Sequence, residues 1–154
     1  MYDVMQVVNW LRVRNNADMR ENDYTEELTQ MKAMKLLYYI QGVSLAYLDQ
    51  RIFKQDIVAW KYGPAVEEVH NKYIHRRGIV GEISKEDLND YKLLSSDKKA
   101  SEVLNAVYDE FGGKSAIDLM KQTHSENPWK ETAQSNIITD EKLKKFFKKV
   151  VKFK

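Results

Sequence analysis

The residues best suited to chemistry near neutral pH in this chain of 154 are its three histidines, because imidazole alone titrates there unaided. His124 lies in the run Thr123-His124-Ser125-Glu126, six residues after Asp118 and just ahead of Pro128-Trp129. Ser, His and Asp are the parts of a nucleophilic relay. No strand–turn–helix elbow frames Ser125, however, and geometry defines such a site, not the presence of the parts. The local sequence therefore predicts that His124 fixes a turn by hydrogen bonding. Glu67-x-x-His70 has the spacing of a carboxylate–histidine metal motif. A dinuclear centre needs a second copy, which the sequence lacks, and His75, five positions after His70, points to another helix face.

Other chemistries fall to simple inspection. With no cysteine, thiolate metal sites, disulfides, iron–sulfur clusters and a cysteine nucleophile are excluded. Neither G-x-x-x-x-G-K-[ST] nor G-x-G-x-x-G occurs, so nucleotide-driven function is not expected. The expectation is a protein that is not an enzyme and holds no cofactor or metal.

Recognition chemistry is better represented. Trp60, Tyr62, Gly63 and Pro64 fall within five residues. Tyr and Trp give large contact areas at low entropic cost and dominate binding hot spots. The same run also reads as a core Trp followed by a Gly-Pro turn. A second candidate surface is the C-terminal stretch. Residues 139–154 hold seven lysines, at 142, 144, 145, 148, 149, 152 and 154, against Asp140 and Glu141. That local charge of +5 leaves −3 on the rest of a chain whose formal net charge is +2. Any attraction to nucleic acid, a membrane surface or an acidic partner must come from this stretch, through Lys144, Lys145, Lys148 and Lys149.

The elements that must position these residues are mostly helical. Only 6 Gly and 2 Pro are present, few for an all-β fold. Val4, Val7, Val8 and Leu11 trace one helical face, which Asn15 and Asn16 are expected to end. Thr29 is a plausible cap for a helix reaching about Leu48 that is apolar almost all round, the mark of a central spine. Buried tyrosines are expected at Tyr38 or Tyr39, with the hydroxyl satisfied. Ile57 to Trp60 is expected as a short helical turn, and Pro64 to about Arg77 as a third main helix stopped by Gly78. Ile79 to Ile83 reads as an extended hairpin arm. Capped helices follow from Ser84, from Ser96 or Asp97, from Ser115 and from Thr139, with one more turn at Pro128-Trp129. In the last helix Leu143, Phe146, Phe147, Val150 and Val151 form a stripe that could dock on the core. The longest apolar run, Met34 to Leu48, is interrupted by Lys35, Gln41 and Ser44, so no membrane span is expected, and Asp3 argues against a secretory leader.

Three stretches in fixed order are distinctive: Met34-Lys35-Leu36-Leu37-Tyr38-Tyr39-Ile40-Gln41-Gly42, then Ala59-Trp60-Lys61-Tyr62-Gly63-Pro64-Ala65-Val66 with Val69, then Leu119, Thr123-His124 and Pro128-Trp129-Lys130-Glu131. Together, over about Val4 to Glu131, the chain resembles the Panacea domain of SocA-like antitoxins and GepA-type phage-associated proteins. His70 and Ala65 depart from the pattern, where an aromatic and a Val are common. The resemblance implies a mainly helical domain that neutralises a toxin encoded by a neighbouring gene, with partners that differ widely in kind.

The expectation is thus a mainly α, single compact domain around a central apolar helix, with at most a short β-hairpin arm. Residues 1–131 would form the Panacea-like part and 132–154 a Lys-rich amphipathic helix packed on it. The function expected is toxin neutralisation by direct protein–protein contact, in the cytoplasm, through Trp60, Tyr62, Gly63, Pro64, His124 and Trp129. The alternative is a nucleic-acid-binding regulator using Lys144, Lys145, Lys148 and Lys149.

Overall fold

The computed structural model describes residues 1–151, and Lys152 and Lys154 of the basic stretch lie outside them. The spine is α2, Gln30–Leu48, which starts at Thr29, whose hydroxyl accepts from Lys32 N. Every residue from Ala33 to Leu45 is buried. This follows from a sequence apolar around its whole circumference. Its three interrupting polar residues are buried too, and each ties a neighbouring segment to the helix. Lys35 Nζ donates to Pro64 O at 2.9 Å, Gln41 Nε2 to Phe53 O at 3.0 Å, and Ser44 Oγ to Gln50 O at 2.7 Å.

Around the spine pack α1 (Val4–Glu21), α5 (Lys98–Phe111), α6 (Ala116–His124) and α8 (Asp140–Val150). Helix α4 (Lys85–Ser96) closes against α1 and α5, where Trp10 stacks on Tyr91 at 5.7 Å and its indole N–H donates to Ser95 Oγ. The short helices α3 (Glu67–Lys72) and α7 (Asn127–Lys130) complete the set among the described residues. The sheet is one antiparallel hairpin, β1 (Val58–Trp60) and β2 (Gly63–Ala65), with Trp60 opposite Gly63. The architecture is mainly helical with one small hairpin, and no helix is long and apolar enough to cross a membrane among the described residues.

The hairpin does not lie where the residues suggested. Val58–Trp60 is a strand and not a helical turn, because its free side is paired by a distant segment. Ala59 N donates to Asn136 O and Ile138 N to Ile57 O, at 2.9 and 2.8 Å. Pro64 and Ala65 belong to that ladder, so the following helix begins at Glu67. It stops at Lys72, short of Arg77, because tertiary bonds hold the chain beyond it: Gln30 Nε2 donates to Tyr73 O at 3.0 Å, and Gln30 N to Arg77 O at 3.1 Å. The segment from Ile79 to Ile83 is no hairpin arm. Arg12, buried and ion-paired with Asp87 at 3.0 Å, captures the Ile79 and Val80 carbonyls instead. Nor does Asn15 end α1. Its amide bridges Glu26 O and Leu28 N, so it does not compete for its own helix backbone.

Helix α8 docks through Leu143 and Phe147, both buried. The Phe147 ring packs edge-on to Tyr38 and Tyr39 at 5.5 and 5.9 Å and occupies the space where a side chain at Gly42 would stand. Phe147→Ala should cost about 3–5 kcal/mol in unfolding free energy, as expected for a buried Phe. Gly42→Ala should also destabilise, although Ala is the better helix former by ~1 kcal/mol. Because both changes act on one contact, denaturant titrations should find the double variant less destabilised than the sum of the single ones.

Candidate functional site

The six residues singled out for binding gather around the β-hairpin. Trp129, on the single turn opened by buried Pro128, donates its indole N–H to Trp60 O at 2.8 Å. His124, at the end of α6, stacks on the Trp129 ring at 4.0 Å and 17°. Trp60 in turn meets the edge of His70 at 5.2 Å. Tyr62, at the turn, is 57% exposed and its ring receives Lys61 Nζ at 5.5 Å. Gly63 and Pro64 are buried and shape the hairpin from within.

Gly63 is required where it stands. Its φ of +108° is one that side-chain-bearing residues rarely adopt, and an added Cβ would lie 2.8 Å from Lys35 Cε and 3.1 Å from Thr123 Oγ1. Beneath it the Lys35 ammonium is bound to Pro64 O. Burial pushes the Lys35 pKa down to about 8. Lys35 was not foreseen as a functional residue. Its signal in the sequence is that it is the one charged residue in the run from Ala33 to Leu45.

His124 is held below its usual pKa by burial first and by the nearby Lys35 charge, against an opposing hydrogen bond to the Lys61 backbone. Among the described residues no carboxylate hydrogen-bonds its ring. Glu126, close in sequence, turns the other way: the Tyr39 hydroxyl donates to its two oxygens at 3.1 and 3.2 Å. Burial raises the Glu126 pKa, offset by hydrogen bonds from Gln122 and Tyr39, whereas the Tyr38 hydroxyl, buried beside them, has no hydrogen-bond partner among the described residues. Both tyrosines are buried, as is the carboxylate they face. His70 is likewise engaged, with Nδ1 2.6 Å from Gln30 Oε1. No cluster of three potential metal ligands occurs among the described residues.

In front of the hairpin opens a cleft of about 520 Å³. It is lined by Trp60, Tyr62 and Gly63 of the hairpin, by Met31, Met34 and Lys35 of α2, and by Ile117 at the start of α6. Pro64, His124 and Trp129 buttress the hairpin without lining this cleft.

This corner coincides with a known sequence family. The model described as antitoxin SocA-like, Panacea domain, matches residues 34–130. The chain belongs to this family. The Panacea match runs from within α2 to the end of α7. It therefore covers the spine from Met34 onward, the hairpin and the Trp129 turn, and leaves out α1, which the resemblance had been read to include, as well as α8. A general antitoxin role follows from the membership, with a toxin as the general kind of partner. No curated protein and no solved structure matches the chain significantly.

The Lys-rich helix lies outside the Panacea segment. Its lysines are not equivalent. Lys144 pairs with Asp49, and Lys142 Nζ donates to Glu131 O at 2.8 Å. Lys145, Lys148 and Lys149 are exposed.

The Lys35 charge gives a pH signature with a definite sign. A lysine whose folded pKa lies near 8 binds fewer protons than its unfolded counterpart between about 8 and 10.5, so stability rises with pH in that window. In parallel chemical denaturation, the wild type should gain on Lys35→Met by on the order of 3 kcal/mol between pH 7 and 10.5. A pH-independent difference would show that the ammonium is not desolvated.

Proposed function

We propose that this protein neutralises a cognate toxin, encoded by an adjacent gene, by binding it directly through the face carried by the β-hairpin. The observation that carries the reading is a pair of aromatic side chains, Trp60 and Tyr62, presented on a hairpin that is locked from behind. The indole of Trp129 holds the Trp60 carbonyl and Lys35 holds the Pro64 carbonyl. Such a face is pre-organised, so binding freezes little further motion. Aromatic anchors supply affinity and the surrounding polar residues specificity. His124 and Trp129 act as support, with Gly63 and Pro64 setting the hairpin's shape. The role in this reading is one of occupation: the aromatic face offers contact area, and among the described residues no carboxylate hydrogen-bonds the His124 ring to orient it.

The test is co-expression with the protein encoded by the adjacent reading frame. The complex should co-purify, and growth arrest by the neighbour should be relieved by this protein. Tyr62→Ala, at a position 57% exposed, should weaken the complex by about 2 kcal/mol or more while leaving the melting temperature nearly unchanged. A neighbour that is harmless with and without this protein would defeat the proposal.

A second reading, nucleic-acid binding by α8, is favoured by the exposure of Lys145, Lys148 and Lys149 on one helix. It requires affinity for duplex DNA or RNA that falls steeply with salt. Replacing these three lysines and Lys144 by Gln should then abolish that affinity, measured by fluorescence anisotropy at low ionic strength.

A further inference from the structure

The cleft beside the hairpin is electrostatically one-sided. Its lining includes Lys35, His70, Arg76 and Arg77 and no Asp or Glu. Among the described residues, none of Lys35, Arg76 and Arg77 forms an ion pair. Lys35 is only 2% exposed, yet its ammonium is bonded to a single acceptor, the Pro64 carbonyl. The first turn of α2, which also lines the cleft, carries no acidic residue to offset its N-terminal partial charge. A cleft with apolar walls and cations of one sign focuses a positive potential into its interior. The apolar part of the lining includes Met31, Met34, Trp60 and Ile117.

These features define the occupant by its chemistry. We propose that the cleft receives a segment of the partner protein in which one large apolar side chain is flanked by carboxylates. The apolar side chain fills the space between Trp60, Met34 and Ile117, and the carboxylates meet Arg76 and Arg77 at the exposed rim. Lys35 supplies positive potential from below while it holds the hairpin wall in place. A free nucleotide fits less well. Its base would need hydrogen-bonding partners, and the Gln30 amide is already committed, its Nε2 to Tyr73 O and Arg76 O and its Oε1 to His70. The inference rests on the reading that the protein binds a partner through this face, and it specifies what that partner presents.

The isotope-labelled full chain can be titrated with four probes and followed by amide chemical shifts. These are the blocked peptides Glu-Glu-Leu-Glu-Glu, Lys-Lys-Leu-Lys-Lys and Glu-Glu-Ala-Glu-Glu, and adenosine monophosphate. The first should give saturable shifts at Met31, Gly63 and Ile117 that weaken with salt; the other three should bind at least about tenfold less well. The paired change Arg76→Glu with Arg77→Glu should lower the affinity for the first peptide by about tenfold or more. Arg76→Gln with Arg77→Gln serves in its place if charge reversal prevents folding. Equal binding of the basic or alanine peptide, preference for the nucleotide, shifts centred elsewhere, or no saturable binding would each overturn the assignment. The two proposals separate in the complex with the neighbour-encoded protein. A complex that forms and tolerates the arginine changes removes the cleft from the interface and leaves partner binding standing. Failure of the wild type to form any complex removes the partner, and the peptide titration still decides what the cleft accepts.

Discussion

A helix buried on all sides gains from every apolar residue it carries and loses from every polar atom left without a partner. Helix α2 is buried without a break from Ala33 to Leu45, and Lys35, Gln41 and Ser44 fall within that run. Each side chain finds a backbone carbonyl in a neighbouring segment, that of Lys35 in β2. The polar residues of the spine thus fix where the hairpin and the turn before it lie against the core. Gly42 does the equivalent work by omission, since its missing side chain lets the Phe147 ring of α8 come close to the helix. The rest of the molecule is arranged around these few points.

The same constraint produces the candidate site. Holding Pro64 with an ammonium requires a lysine in the core, and among the described residues no carboxylate is paired with it. The charge is left looking into a cleft whose other basic groups, Arg76 and Arg77, are unpaired among the described residues. On the opposite side of the hairpin, Trp129 and His124 stiffen the strand that presents Trp60. This rigid aromatic edge beside a positive cleft is the surface proposed above for contact with a partner of this member of an antitoxin family.

Much of this was legible in the residues. The caps at Thr29, Ser84, Asp97, Ser115 and Thr139 all hold, each accepting a backbone N–H of its helix's first turn. They are local: the capping side chain and the amide it bonds lie three positions apart. The spine and most of the stripe of α8 were legible for a related reason, since a helix repeats its faces at a fixed interval; Val150, expected in that stripe, is 54% exposed. The family resemblance located Trp60, Gly63, His124 and Trp129 without saying how they meet. The second half of the cleft was not legible. Met31, Ile117, Arg76 and Arg77 come from three separate segments and share no motif.

By itself, then, the sequence determined a helical domain with an all-round apolar spine, the starts of the helices capped by Thr29, Ser84, Asp97, Ser115 and Thr139, and the family to which its central segment belongs. Only the tertiary structure decided that Val58–Trp60 is a strand, that the helix after Pro64 is only six residues long, and that α1 continues past Asn15. Each of those outcomes turns on a hydrogen bond to a residue at least eleven positions away: Asn136 for Ala59, Gln30 for Tyr73, Glu26 for Asn15. Local preference among helix, strand and turn differs by less than the cost of leaving one buried backbone group unpaired. Distant partners therefore overrule it wherever they reach, and a linear pattern carries no record of where they will be.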